Sequence, residues 1–118
     1  MEKTMQYLLI LSEDPGLIST PEQRQHAVER VGEFAMGLVG ENVLRGGSPL
    51  HPVEEGKQVR VRDGKERVID GPFAEGKEVI AGYMIIDVPD IGAAVEVALK
   101  CPNSEFGSVE IREIVPMG

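Results

Sequence analysis

Hydrophobic and polar positions follow two periods along this chain, and each change of period marks an element. Residues 5–11, Met-Gln-Tyr-Leu-Leu-Ile-Leu, are a near-continuous apolar run of strand length. That pattern predicts a central strand covered for much of its length on both faces. Ser12-Glu13-Asp14-Pro15-Gly16 ends it as a turn cluster. Ser19-Thr20-Pro21-Glu22-Gln23 then predicts a helix start, with Thr20 as N-cap, Pro21 at the first helical position and Gln23 completing a capping box. In that helix Ala27, Val28, Val31, Phe34, Ala35, Leu38 and Val39 recur at spacings of three and four, a single stripe opposite Arg24, Glu29, Arg30 and Glu33. Gly40 is placed as its C′ stop.

Residues 42–50 predict a short strand running into Gly46-Gly47, where a bulge or a close backbone approach is expected. Gln58 to Arg62 alternates strictly, which predicts a strand with Val59 and Val61 inward. Asp63-Gly64 is a hairpin turn, and residues 66–69 return as the partner strand. Val68-Ile69 then reads as a buried strand end that delivers Asp70 to the rigid corner Gly71-Pro72. Val79 to Val88 is a further long strand, with Gly82 marking another close approach. Asp90 caps a second helix whose apolar face is Ile91, Ala94, Val95, Ala98 and Leu99, closed by Cys101-Pro102-Asn103. Residues 108–115 alternate valine and isoleucine with charges, as a strand with one wet face does.

The order is strand, helix, strand, hairpin, strand, helix, strand. This predicts an α+β fold: a ferredoxin-like βαββαβ sandwich with an inserted β-hairpin, its antiparallel sheet carrying two helices on one face. The other face needs a cover as well. In a chain this short the economical cover is a second copy, sheet against sheet in a homodimer.

Composition narrows the function classes. With 118 residues, 42% hydrophobic and 27% charged, the chain is expected to form one domain, residues 1–118, of an ordinary globular kind. The net charge of −8 opposes binding to nucleic acid or to an anionic membrane. Arg60, Arg62, Lys65 and Arg67 are its one basic cluster, read as a solvated face interrupted by Asp63 and Glu66. A single cysteine, Cys101, excludes an internal disulfide and reads as a buried filler. Met1-Glu2-Lys3 does not open a signal segment, no apolar run reaches membrane length, and a cytoplasmic location is expected.

The candidate chemistry gathers at residues 70–78. Asp70 at the mouth of a cleft, with Phe73 as an apolar wall and Glu75, Lys77 and Glu78 on the next loop, fits a general base working without metal or cofactor. His51 is its candidate partner if the two loops meet. Asp-Gly-Pro is equally what a tight turn requires, with the aspartate accepting backbone N–H bonds. His26, beside the first helix's stripe, reads as a surface histidine. Two histidines without ligand spacing argue against zinc, and phosphate loops and nucleophile elbows are missing from the sequence.

Asp70-Gly71-Pro72-Phe73-Ala74-Glu75, followed by Lys77-Glu78, Gly82-Tyr83 and Ile86-Asp87-Val88-Pro89-Asp90, resembles the YCII-related family, in particular its DGPF subgroup. The resemblance extends to the opening Met-Gln-Tyr-Leu-Leu-Ile, the Gly46-Gly47, Leu50 and Pro52 segment, and the end from Cys101-Pro102 to Arg112. It implies a dimeric α/β barrel, and it adds Tyr83 to the pocket residues. For activity it implies, from some relatives, lyase- or isomerase-like chemistry on a small organic acid or lactone at a histidine–aspartate pair. His26 does not align with the histidine of that pair without moving the glycine pair out of register. For DGPF members it implies association with an alternative sigma factor. Three readings follow: a cofactor-free enzyme, a ligand-binding or regulatory module, and a dimeric scaffold.

Overall fold

The longest apolar runs become the central strands. The computed structural model describes residues 3–73 and 77–117. In chain order it has β1 (Met5–Glu13), α1 (Pro21–Gly40), β2 (Leu44–Pro49), β3 (Lys57–Arg62), β4 (Lys65–Asp70), β5 (Val79–Val88), α2 (Ile91–Lys100), α3 (Asn103–Phe106) and β6 (Gly107–Glu113), with one 3-10 turn at Val53–Glu55. Four strands make an antiparallel sheet in the order β2-β5-β1-β6, while β3 and β4 pair only with each other. This is the predicted α+β, ferredoxin-like plan with the hairpin inserted between β2 and β5.

Alternation along β1 and β5 decides where the core lies. Tyr7, Leu9 and Leu11 face the same side as Met84, Ile86 and Val88, and all six are buried. Against them pack Leu38, Phe34 and Ala35 of α1 and Ala94 of α2, so both helices cover one face. Leu9 and Ile86, each 0% exposed, contribute about 1.5–3 kcal/mol apiece through that burial. No helix among the described residues is long and apolar enough to cross a membrane.

The helix starts are as the sequence predicts. Thr20 accepts from the Gln23 backbone N–H at 3.1 Å while the Gln23 side chain accepts from the Thr20 N–H, a complete capping box. Asp90 caps α2 by accepting from the Ala93 N–H at 2.9 Å. The stop of α1 differs. Asn42, with φ of 60°, takes the left-handed position in place of Gly40. The Asn42 N–H donates to Val39 and the Val43 N–H to Leu38, which satisfies two terminal carbonyls in a Schellman arrangement. The return of Val43 toward Leu38 extends the core and carries the helix to Gly40.

Several expected core positions are open. Val28 and Val39 of α1 and Ile91, Val95 and Leu99 of α2 are exposed; Ala27, Leu38, Ala94 and Ala98 carry the buried contacts. The hairpin departs furthest from expectation. Val59, Val61 and Val68, read as inward or buried, are 68%, 56% and 64% exposed, because among the described residues β3 and β4 make no extended contact with another strand or helix. The radius of gyration is 16.1 Å, against roughly 13.5 Å for a compact chain of this length.

Candidate functional site

Asp70 is the last residue of β4, and its Cα partner across the hairpin is Lys57. That register brings the Lys57 ammonium onto the Asp70 carboxylate as an ion pair. The Asp70 side chain is 77% exposed, so this pair stands in water. His51 follows β2 and is 90% exposed, with Nδ1 3.8 Å from Glu55. Among the described residues no hydrogen bond or ion pair joins His51 to Asp70.

The corner itself is organised by packing. The Gly71 N–H donates to the Gly56 carbonyl at 3.0 Å, and the Gly56 N–H to Val53 at 3.0 Å. A side chain on Gly71 would begin 2.0 Å from the Val53 carbonyl oxygen and 3.3 Å from the Phe73 ring. Phe73 also lies 3.5 Å from where a Gly56 side chain would start. Gly71 and Phe73 therefore clamp the base of the hairpin onto the turn at Val53–Glu55, which explains the glycine and the aromatic without any chemistry. Lys77 and Glu78 are exposed, and Glu78 accepts from the Ser108 hydroxyl across to β6. Glu75 lies outside the described residues.

Tyr83 sits apart from this corner, on the sheet face away from the helices, opposite Ile10 of β1 and Ser48 of β2. Close backbone contact explains the glycines around it. A side chain on Gly47 would meet the Tyr83 carbonyl at 2.6 Å, and one on Gly82 the Ser48 carbonyl at 3.0 Å. The β2 bulge expected at the glycine pair falls between Leu44 and Gly46. It turns Arg45 toward Asp87, with Nε 3.3 Å from Oδ2. Asp87 Oδ1 is buried without a hydrogen-bond partner among the described residues. Sequence reasoning missed this pair, although a lone carboxylate inside the apolar run 79–88 was its signal.

Two concave surfaces among the described residues lie elsewhere. A groove of about 390 Å³ between Met5, Gln6, Ile114 and Pro116 is at the end of the sheet far from the hairpin. Another, of about 470 Å³, runs along α1 beside Glu22, His26 and Glu29. Neither is lined by Asp70, His51 or Phe73. No group of three or more His, Cys, Asp or Glu side chains among the described residues converges as a metal site.

Comparison with known proteins adds a family. The model of the YCII-related domain matches residues 5–118, nearly the whole chain. The chain belongs to the YCII-related family. An uncharacterised protein of Rhizobium meliloti (strain 1021) is 36% identical over 67 residues, which is 55% of this chain and 54% of that protein. The chain thus spans about half the length of this curated relative. This membership leaves the role of Asp70 to be argued from geometry.

Proposed function

We propose that this YCII-related chain is a non-catalytic binding module that works as a homodimer. The observation that carries the first half is the open setting of Asp70. A general base must lie within hydrogen-bond reach of the proton it takes, and enzymes raise its basicity by removing it from water. Asp70 is exposed and held by Lys57, with His51 turned to Glu55. Its surroundings are those of a hairpin base.

The second half rests on the sheet face away from the helices. Leu8, Ile10 and Ile85 are half-buried there and Ile80 and Tyr83 exposed, a connected apolar centre on β1 and β5. Arg112, Glu110 and the Arg45–Asp87 pair surround it. An apolar centre with a charged rim is how interfaces between copies are built. The resemblance of residues 70–73 to the DGPF subgroup supplies the partner class for this module, an alternative sigma factor.

The test adds small organic acids and lactones to the full chain and to Asp70→Asn, following both binding and consumption. No consumption, and binding that Asp70→Asn leaves unchanged, are the expected results. Turnover that disappears in a folded Asp70→Asn protein restores the lyase- or isomerase-like reading with Asp70 as base. Light scattering that returns the 12.8 kDa mass of one chain refutes the dimer.

A further inference from the structure

The β3–β4 hairpin has two unlike faces. Its register pairs Val59 with Val68, Val61 with Glu66 and Lys57 with Asp70 on one side. On the other it sets Arg60 directly opposite Arg67 and Arg62 directly opposite Lys65. Like charges at directly opposed positions destabilise a two-stranded ribbon, and none of these four cations meets a carboxylate among the described residues. The valine face is no better provided for, with all three valines more than half exposed.

An isolated two-stranded hairpin is marginal in water and gains stability when one face is covered. Among the described residues this one is fixed at its base, by the Gly71 to Gly56 hydrogen bond and the packing of Phe73. It has an apolar side and a cationic side, and among the described residues no other strand or helix makes an extended contact with either. Charge indicates what covers it. Residues 57–70 hold five cationic and three acidic side chains, a net +2, which leaves −10 on the rest of a chain whose total is −8. The arm's net +2 is opposite in sign to the −10 body of a second copy, and a copy already seated on the apolar sheet face holds that body within reach, whereas a nucleic acid has only the arm to hold it against an acidic body.

We infer that the hairpin 57–70 is an arm that docks on a second copy of this chain, with Val59, Val61 and Val68 packed against the partner and the four cations drawn to the partner's acidic surface. This rests on the dimer reading above and adds to it a second contact outside the sheet faces. The docked arm gains the cover that its own body does not give, and its like charges are offset by carboxylates of the other copy. Gly71 and Phe73 then acquire a purpose, since a clamped base aims the arm.

Hydrogen exchange on the wild-type chain tests this without a substitution. Amides of β3 and β4 should be protected in a concentrated sample and should lose protection on dilution into the monomer range. Protection in β3 and β4 that is independent of concentration, in a protein that light scattering shows dissociating, overturns the arm and leaves the sheet dimer standing. A wild type that is monomeric throughout overturns both. Two variants give the magnitude: Val59→Ser with Val68→Ser should raise the dimer dissociation constant at least about tenfold. Arg60→Glu with Arg67→Glu should raise it by a factor that shrinks as salt is added. Unchanged dissociation constants in both variants again reject the arm. Binding of a labelled duplex DNA or single-stranded RNA oligonucleotide that Arg60→Glu with Arg67→Glu abolishes assigns the cations to nucleic acid and overturns docking on a second copy.

Discussion

At Gly71 the space for a side chain is already taken. The Val53 carbonyl oxygen lies 2.0 Å from where a Cβ would start, and it is backbone in a hydrogen-bonded turn, so it cannot swing aside as a side chain would. Gly71→Ala should therefore cost about 2–3 kcal/mol in stability, read as a lower urea midpoint. Asp70→Asn should stay within about 0.5 kcal/mol of wild type, because its ion pair is exposed. The sequence marks Asp70-Gly71-Pro72 as a corner but not as a corner pressed onto Val53, since that contact comes from a distant loop and has no local signature. Cys101 was more legible: a single cysteine at a helix end next to Pro102, read as a buried filler, and it is fully buried. Burial pushes its thiol above the ordinary value of 9.0, partly offset by a hydrogen bond from Asn103. A raised value means that the stability due to the neutral thiol is intact below 9.0 and is lost as pH climbs through the raised value. The urea midpoint should start to fall as the pH is raised above about 9, and Cys101→Ala should lessen that fall while lowering the midpoint at neutral pH.

At the scale of elements, starts and turns were readable and coverage was not. A capping box is a relation among residues three apart, so Thr20 and Gln23 declare themselves in the sequence. Asp63-Gly64 does the same for a hairpin turn, with φ of 52° and 73° at its two central residues. Periodicity in contrast says which side chains share a face, without saying whether anything lies against it. Val28 and Leu38 belong to one predicted stripe, yet only Leu38 meets the sheet. Val59 and Val61 share a face of β3 that is more than half exposed and, among the described residues, has no extended contact beyond β4. The end of α1 moved for a related reason: Gly40 is the better local stop, but stopping at Asn42 lets Val43 join the core. Asn42→Ala keeps the helix and places a Cβ-bearing residue without a compensating polar group in the left-handed region. It should cost about 1 kcal/mol, with Asn42→Gly close to wild type, in thermal unfolding.

For the whole molecule the decisive feature is a layer left open. The main sheet has helices on one side only, and its other side carries Leu8, Ile10, Tyr83 and Ile85 at the centre. The near-continuous apolar run 5–11 placed apolar side chains on both faces of β1, and Leu8 and Ile10 do stand on the face away from the helices; what covers them was not legible, because one sequence describes one chain. Ile10 is the position that separates folding from assembly. It lies between Tyr83 on β5 and Glu110 on β6, half-buried on the open face. In a monomer, Ile10→Lys can run its stem along that face and keep its ammonium in water, so the fold should survive. In a sheet-to-sheet dimer the same ammonium enters the apolar centre, where an unpaired charge costs several kcal/mol. Light scattering should then find a folded monomer, with the dissociation constant raised by about a hundredfold or more. The arm would remain intact in that variant, and its β3 and β4 amides should exchange as fast as those of the dilute wild type, since an arm without a second copy has nothing to rest on. If Ile10→Lys dimerises as the wild type does, the open face is not the interface, and the cover for Leu8, Ile10 and Ile85 has to be sought in a different protein.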